Sequence, residues 1–89
     1  MKCKDILIDN KLGLHARASA KFVQLASEYN SDISLSRNGK MVNGKSIMGI
    51  MMLAAAKGTR LELCANGTDE ANAVTALSGL VGDLFGEGE

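Results

Sequence analysis

Proline and tryptophan are absent from this chain, and only three residues are aromatic: Phe22, Tyr29 and Phe85. With no proline-rich or low-complexity stretch, nothing divides the sequence into parts. So few aromatics, with ten basic residues balanced by ten acidic ones, argue against a base-stacking sheet and against bulk attraction to nucleic acid. The same balance argues against an anionic membrane surface, though it permits a local charged patch. No apolar run is long enough to span a bilayer. Met1-Lys2-Cys3-Lys4-Asp5 is followed by only three apolar residues, so no signal peptide is expected. Cysteine is scarce too. Cys3 and Cys64 stand far apart without CxxC spacing, and reduced thiols of a cytoplasmic protein are expected, a disulfide being the alternative. Together with the lone His15 they lack metal-ligand spacing, so neither metal nor cofactor is expected.

What is present suits one small domain covering residues 1–89. Hydrophobic residues make up 46% of the 89, enough for a core without crosslinks. Residues 2–9 read as a strand with Ile6 and Ile8 on one face. Asn10 to Leu14 is a loop. From Ala16 to about Tyr29 the residues Ala18, Phe22, Leu25, Ala26 and Tyr29 follow helical spacing. Ile33 and Leu35 alternate with Ser34 and Ser36 as in a half-buried strand, and Asn38-Gly39 is a hairpin signal, since both residues tolerate positive φ. Lys40 to Asn43 is the returning strand. Ser46 is a good N-cap for a short apolar helix from Ile47 to Ala55, with Gly58 placed as its C-cap glycine. Arg60 to Ala65 alternates again. A last helix runs from about Glu70 to Leu84 with Val74, Leu77, Val81 and Leu84 on its buried stripe, and Gly86 to Glu89 is expected to fray. The order is β-α-β-β-α-β-α. Each element has one apolar face, which predicts an α+β fold: helices on one side of a four-stranded antiparallel sheet, water on the other.

Chemistry concentrates in Gly13-Leu14-His15-Ala16-Arg17. The only histidine stands where a loop becomes a helix. Backbone N–H groups at a helix start are unpaired and attract anions. The helix dipole also disfavours the imidazolium, which keeps a ring lone pair free for attack on phosphorus. The amides of Ala16 and Arg17 are the expected donors to an arriving phosphoryl group, and Arg17 can offer its planar fork. Read blandly, His15 is only a helix cap. Ser46 is a cap as well, and a phosphate there would sit comfortably at a helix start while adding charge to the surface nearby. In Ile47-Met48-Gly49-Ile50-Met51-Met52-Leu53 a short helix cannot bury every side chain, so Met48 and Met51 or Met52 should be exposed as an adaptable contact surface. No Ser-His-Asp set and no phosphate-binding glycine motif can be assembled.

Taken together, Gly13-Leu14-His15-Ala16-Arg17 and Asn43-Gly44-Lys45-Ser46-Ile47-Met48-Gly49, on this order of elements, resemble the HPr family, the histidine-containing phosphocarriers of the bacterial phosphoenolpyruvate-dependent phosphotransferase system. The likeness runs over essentially the whole chain. It implies an open-faced β-sandwich. It implies that His15 accepts a phosphoryl group on Nδ1 from phosphorylated enzyme I, with help from Arg17, and passes it to an enzyme II A-type component. It implies a monomeric substrate protein with no turnover of its own, and Ser46 as the target of an HPr kinase/phosphorylase. Ala16, Ala20, Ile47, Met48 and Met51 would form the docking surface. A regulatory protein acting mainly through Ser46 and partner binding is the alternative. Many members carry proline where this chain has Ala18; alanine keeps the helical turn but changes its rigidity.

Overall fold

The structure is a computed structural model, and it describes residues 1–87. Four strands, β1 (Lys2–Leu7), β2 (Asp32–Arg37), β3 (Lys40–Asn43) and β4 (Arg60–Asn66), and three helices, α1 (Ala16–Ala26), α2 (Ile47–Met51) and α3 (Glu70–Gly82), follow the expected order. The strands lie side by side as β1-β4-β2-β3 with every pairing antiparallel. Alternation decides which side is buried. Ile6, Ile33, Leu35, Leu61, Leu63 and Ala65 point to the helices and are buried; Cys3, Asp5, Ser34, Glu62 and Cys64 face the open side. Phe22 of α1, Ile50 of α2 and Leu77 of α3 complete the core. Each buried large side chain is worth about 2 kcal/mol over an exposed one.

Local chemistry explains the edges of the elements. Asn38 and Gly39 both take positive φ, 49° and 82°, so β2 and β3 close on a two-residue turn. β1 stops at Leu7, short of residue 9, although Ile8 beyond it is fully buried. β4 extends one residue further than expected, to Asn66, which pairs with Asp32. α1 is shorter than its apolar spacing suggests. The amides of Glu28 and Tyr29 turn back to Leu25 and Ala26, tightening the last turn, and Lys45 Nζ donates to the Tyr29 carbonyl at 2.8 Å.

The second helix is the largest departure from expectation. α2 ends at Met51, four residues before Ala55, and Gly58 does not cap it. Leu53 and Ala54 bond back to Ile50 and Met51 in tight turns, Ala54 takes φ 50°, and the Arg37 guanidinium donates to the Leu53 and Ala54 carbonyls at 2.8 and 3.0 Å. The chain leaves the helix because Leu53 and Ala55 are both buried and Ala55 must present its carbonyl to the Leu14 amide at 2.9 Å. Gly58, at φ 92°, serves a turn whose amide donates to Ile8.

The C-terminal expectation is corrected too. Leu84 is outside α3. It takes φ 54°, Phe85 takes φ 55°, and a single 3₁₀ turn (Leu84–Gly86) folds Phe85 fully into the core. Gly86 and Glu87 are therefore held in place; residues 88–89 lie outside the described range. Finally, Cys3 and Cys64 are joined as a disulfide. They are direct partners across β1 and β4 with Cα atoms 4.1 Å apart, a pairing that sequence spacing gave no reason to prefer over free thiols.

Candidate functional site

The loop before α1 is shaped by its contacts with the segment that follows α2. Gly13 takes φ 67°, and a Cβ there would run into the carbonyl oxygen of Ala55. Only glycine fits both demands. The buried Asn10 side chain donates to the Gly13 carbonyl at 2.8 Å, and Ser19 Oγ donates to the Leu14 carbonyl at 3.3 Å. Held from both sides, the loop delivers His15 to the N-cap of α1.

His15 is the cap. Its Nδ1 accepts from the Arg17 amide at 3.1 Å and from the Ala18 amide at 3.4 Å. The bland reading and the chemical one thus describe the same geometry: capping aims Nδ1 at the anion-attracting end of the helix. Ala18 stands beside Arg17 as a donor to the ring, whereas nothing among the described residues accepts from the Ala16 amide. The ring keeps 24% of its surface open, so it is neither sealed in nor turned away from the amides.

The other face of the ring has an occupant that sequence reasoning missed. A Glu87 carboxylate oxygen lies 3.2 Å from His15 Nε2, and the other accepts from Asn10 Nδ2 at 3.3 Å. The approach to Nε2 is at ion-pair distance but does not form a hydrogen bond, which leaves Nε2 buried without a hydrogen-bond partner, as is Asn10 Oδ1. No local signal marked Glu87. Its position depends on the left-handed turn at Leu84 and Phe85, and on Lys21 Nζ donating to the Phe85 carbonyl at 2.8 Å.

Beside this ring lies an open hollow of about 320 Å³ lined by Lys11, Leu12, Arg17, Lys21, Gly86 and Glu87. Three cations on its wall suit a phosphoryl-sized anion. The Arg17 side chain is exposed and has no hydrogen bond or ion pair among the described residues, so it can turn toward that space.

Ser46 is where its sequence placed it, at the N-cap of α2, and its Oγ accepts from the Gly49 amide at 3.0 Å. Ile47, Met48, Met51 and Met52 are all exposed, Met48 to 74%, and α2 packs against α1, which carries exposed Ala16 and half-buried Ala20. Leu12, on the His15 loop, is a further exposed apolar residue that the sequence did not single out.

The chain is similar to known proteins over nearly all of its length. Residues 2–83 match the family described as the PTS HPr component phosphorylation site. The chain is 59% identical over 86 residues to the phosphocarrier protein HPr of Neisseria meningitidis serogroup A, covering 97% of each chain. It is 51% identical over 90 residues to that of Pseudomonas aeruginosa, covering all of both. Among solved structures, HPr-C-His from Thermoanaerobacter tengcongensis superposes with a TM-score of 0.94 at 49% identity, over 98% of each chain.

Proposed function

The chain belongs to the HPr family, the phosphocarriers of the phosphotransferase system, and from that membership we propose that His15 Nδ1 takes a phosphoryl group from phosphorylated enzyme I and yields it to an enzyme II A-type component. The observation that carries the proposal is the aim of Nδ1 at the amides of Arg17 and Ala18. The Nδ1 lone pair attacks phosphorus; the bond from phosphorus to the donor's own nitrogen breaks, and its electron pair returns to the donor. The amides that faced the lone pair then face phosphoryl oxygens, and the unengaged Ala16 amide joins them. Arg17 brings its guanidinium to the same oxygens. Glu87 is a positioning residue. It holds the Nε2 side of the ring and offsets the positive charge that the imidazole gains as Nδ1 bonds to phosphorus.

A few donors in an open site hold the load weakly, which suits a carrier: tighter binding of phosphohistidine than of the transfer state would slow its exit. The partners supply the rest of the catalytic surroundings, so the protein is a substrate of enzymes and not one itself. Residues 1–89 act as one phosphocarrier domain, a monomer in the cytoplasm. Partners dock on Ala16, Ala20, Ile47, Met48 and Met51. An HPr kinase/phosphorylase modifies Ser46, beside that surface.

The test is labelling with phosphoenolpyruvate and catalytic enzyme I. One acid-labile, base-stable phosphoryl group per chain is expected, with none on His15→Ala and slower onward transfer by Arg17→Ala. Undiminished labelling of a folded His15→Ala variant would overturn the assignment.

A further inference from the structure

The open face of the sheet, away from His15 and the docking helices, carries a second constellation. Cys3 and Cys64 are one rung of the β1–β4 ladder and Asp5 and Glu62 are the next rung but one, on the same face. The two sulfurs and a Glu62 carboxylate oxygen all lie within 4.8 Å of one another. Cys3 and Glu62 are exposed and Cys64 is half-buried, so solvent reaches all three.

Asp5 and Glu62 are like charges placed directly opposite each other, an arrangement that destabilises a ladder. Neither carboxylate has a hydrogen bond or ion pair among the described residues. The nearest lysines in sequence, Lys2 and Lys4, alternate to the other side of β1, where with the edge of Cys3 they line a groove against α3 residues Val74, Thr75 and Ser78. A reactive redox cysteine needs electropositive surroundings that favour a thiolate. Here the Glu62 carboxylate stands against the sulfurs with Asp5 opposite it, and what such charge attracts is a cation.

We infer that, in the reduced protein, Cys3, Cys64 and Glu62 bind a thiophilic divalent cation of the Zn²⁺ class, and that the disulfide is the oxidised, metal-free form of the same site. Two thiolates and one carboxylate are ligands that zinc accepts, water completing the tetrahedron. The carboxylate weighs against a purely soft ion such as Cu(I), and the thiolates against Mg²⁺ and Ca²⁺. Asp5 adds charge to the site without being among the three close ligands. Cys3 and Glu62 are exposed, so water can reach the fourth position. The chemistry balances. A dithiol reductant gives two electrons and two protons to the cystine and becomes a disulfide itself; the S–S bond breaks, and each sulfur keeps one proton. The ion then displaces both protons as two S–metal bonds form. Either form ties β1 to β4, by a covalent bond or through the ion.

Titration of the full-length protein with Co²⁺, and then Zn²⁺ in competition, tests this after reduction by a water-soluble phosphine and its removal without air. One ion per chain is expected, with thiolate-to-cobalt charge-transfer absorption that Zn²⁺ abolishes and release of two protons per ion at neutral pH. Air-oxidised protein and the folded Cys3→Ser/Cys64→Ser variant should show no such band. Glu62→Gln should weaken binding by at least about tenfold, and Asp5→Asn by about threefold. His15→Ala should leave the titration unchanged, which separates this site from the phosphocarrier site. Absence of the band in reduced protein, its survival in the double serine variant, its loss in His15→Ala, indifference to Glu62→Gln, or one ion bridging two chains would each overturn the inference.

Discussion

At the scale of single residues, the site turns on two that have little freedom. His15 is held at Nδ1 by two amides, and the Glu87 carboxylate lies 3.2 Å from Nε2. Gly13 is fixed by its backbone, with φ 67° and the Ala55 carbonyl oxygen where a Cβ would go. Gly13→Ala should therefore cost about 2 kcal/mol or more in urea unfolding, because it combines a left-handed strain with a steric one. It should also slow phosphoryl uptake at temperatures where the variant is folded, since the loop that delivers His15 would shift. Stability and uptake both equal to the parent chain would show that the loop gives way freely. The sequence placed Gly13 in a loop; the Ala55 contact that makes glycine necessary there could not be read from it.

Among the elements, α2 separates two roles that share one residue. Ser46 Oγ accepts from the Gly49 amide, and the helix it caps is only five residues long. Ser46→Ala removes the cap and should lower stability by about 1 kcal/mol in denaturant unfolding. Ser46→Asp keeps a capping oxygen at a helix start, where negative charge is favoured, so its stability should stay near that of the parent. Yet Ser46→Asp should slow transfer from enzyme I, and Ser46→Ala should not, because the added charge sits beside exposed Ile47 and Met48. Equal transfer rates in the two folded variants would remove Ser46 from the docking surface. The sequence revealed where α2 starts, because a cap is a local signal. Its end was not legible: the residues to Ala55 are good helix formers, but Arg37 and the His15 loop draw their carbonyls away.

Across the whole molecule, a few long-range ties set how distant segments meet. Asp69 shows this well. It occupies the N-cap position of α3 yet makes no capping bond; its carboxylate instead accepts from the Ser31 hydroxyl and the Asn30 and Ser31 amides, clamping the α1–β2 turn to the start of α3. The Ser31 hydroxyl first, then the Asn30 amide, hold its carboxyl below the ordinary 3.8. Glu70 is held below 4.5 in the same way, chiefly by the Gly67 amide and then by the N-terminal ammonium. The unfolded chain takes up these protons at higher pH than the folded one. Their contribution is thus complete above the ordinary values and is lost as pH falls through the lowered, folded ones. Unfolding free energy should drop with acidification more steeply in the parent than in Asp69→Asn, and parallel curves would show that the clamp carries no such linkage.

Much of this molecule was present in its amino-acid order. Period-two and helical spacing fixed the identity and sequence of seven elements, Asn38-Gly39 fixed a hairpin, and Gly13 to Arg17 fixed the start of α1 with the proposed phosphoryl acceptor at its cap. These are local signals, written by neighbours on the chain. The insertion of β4 between β1 and β2, the pairing of Cys3 with Cys64, and the return of Glu87 to His15 belong to the tertiary structure alone. They join residues from 26 positions apart, as Ser36 and Glu62, to 72 apart, as His15 and Glu87. Burial of the shared core brings such residues together, and no periodicity within either segment encodes the meeting.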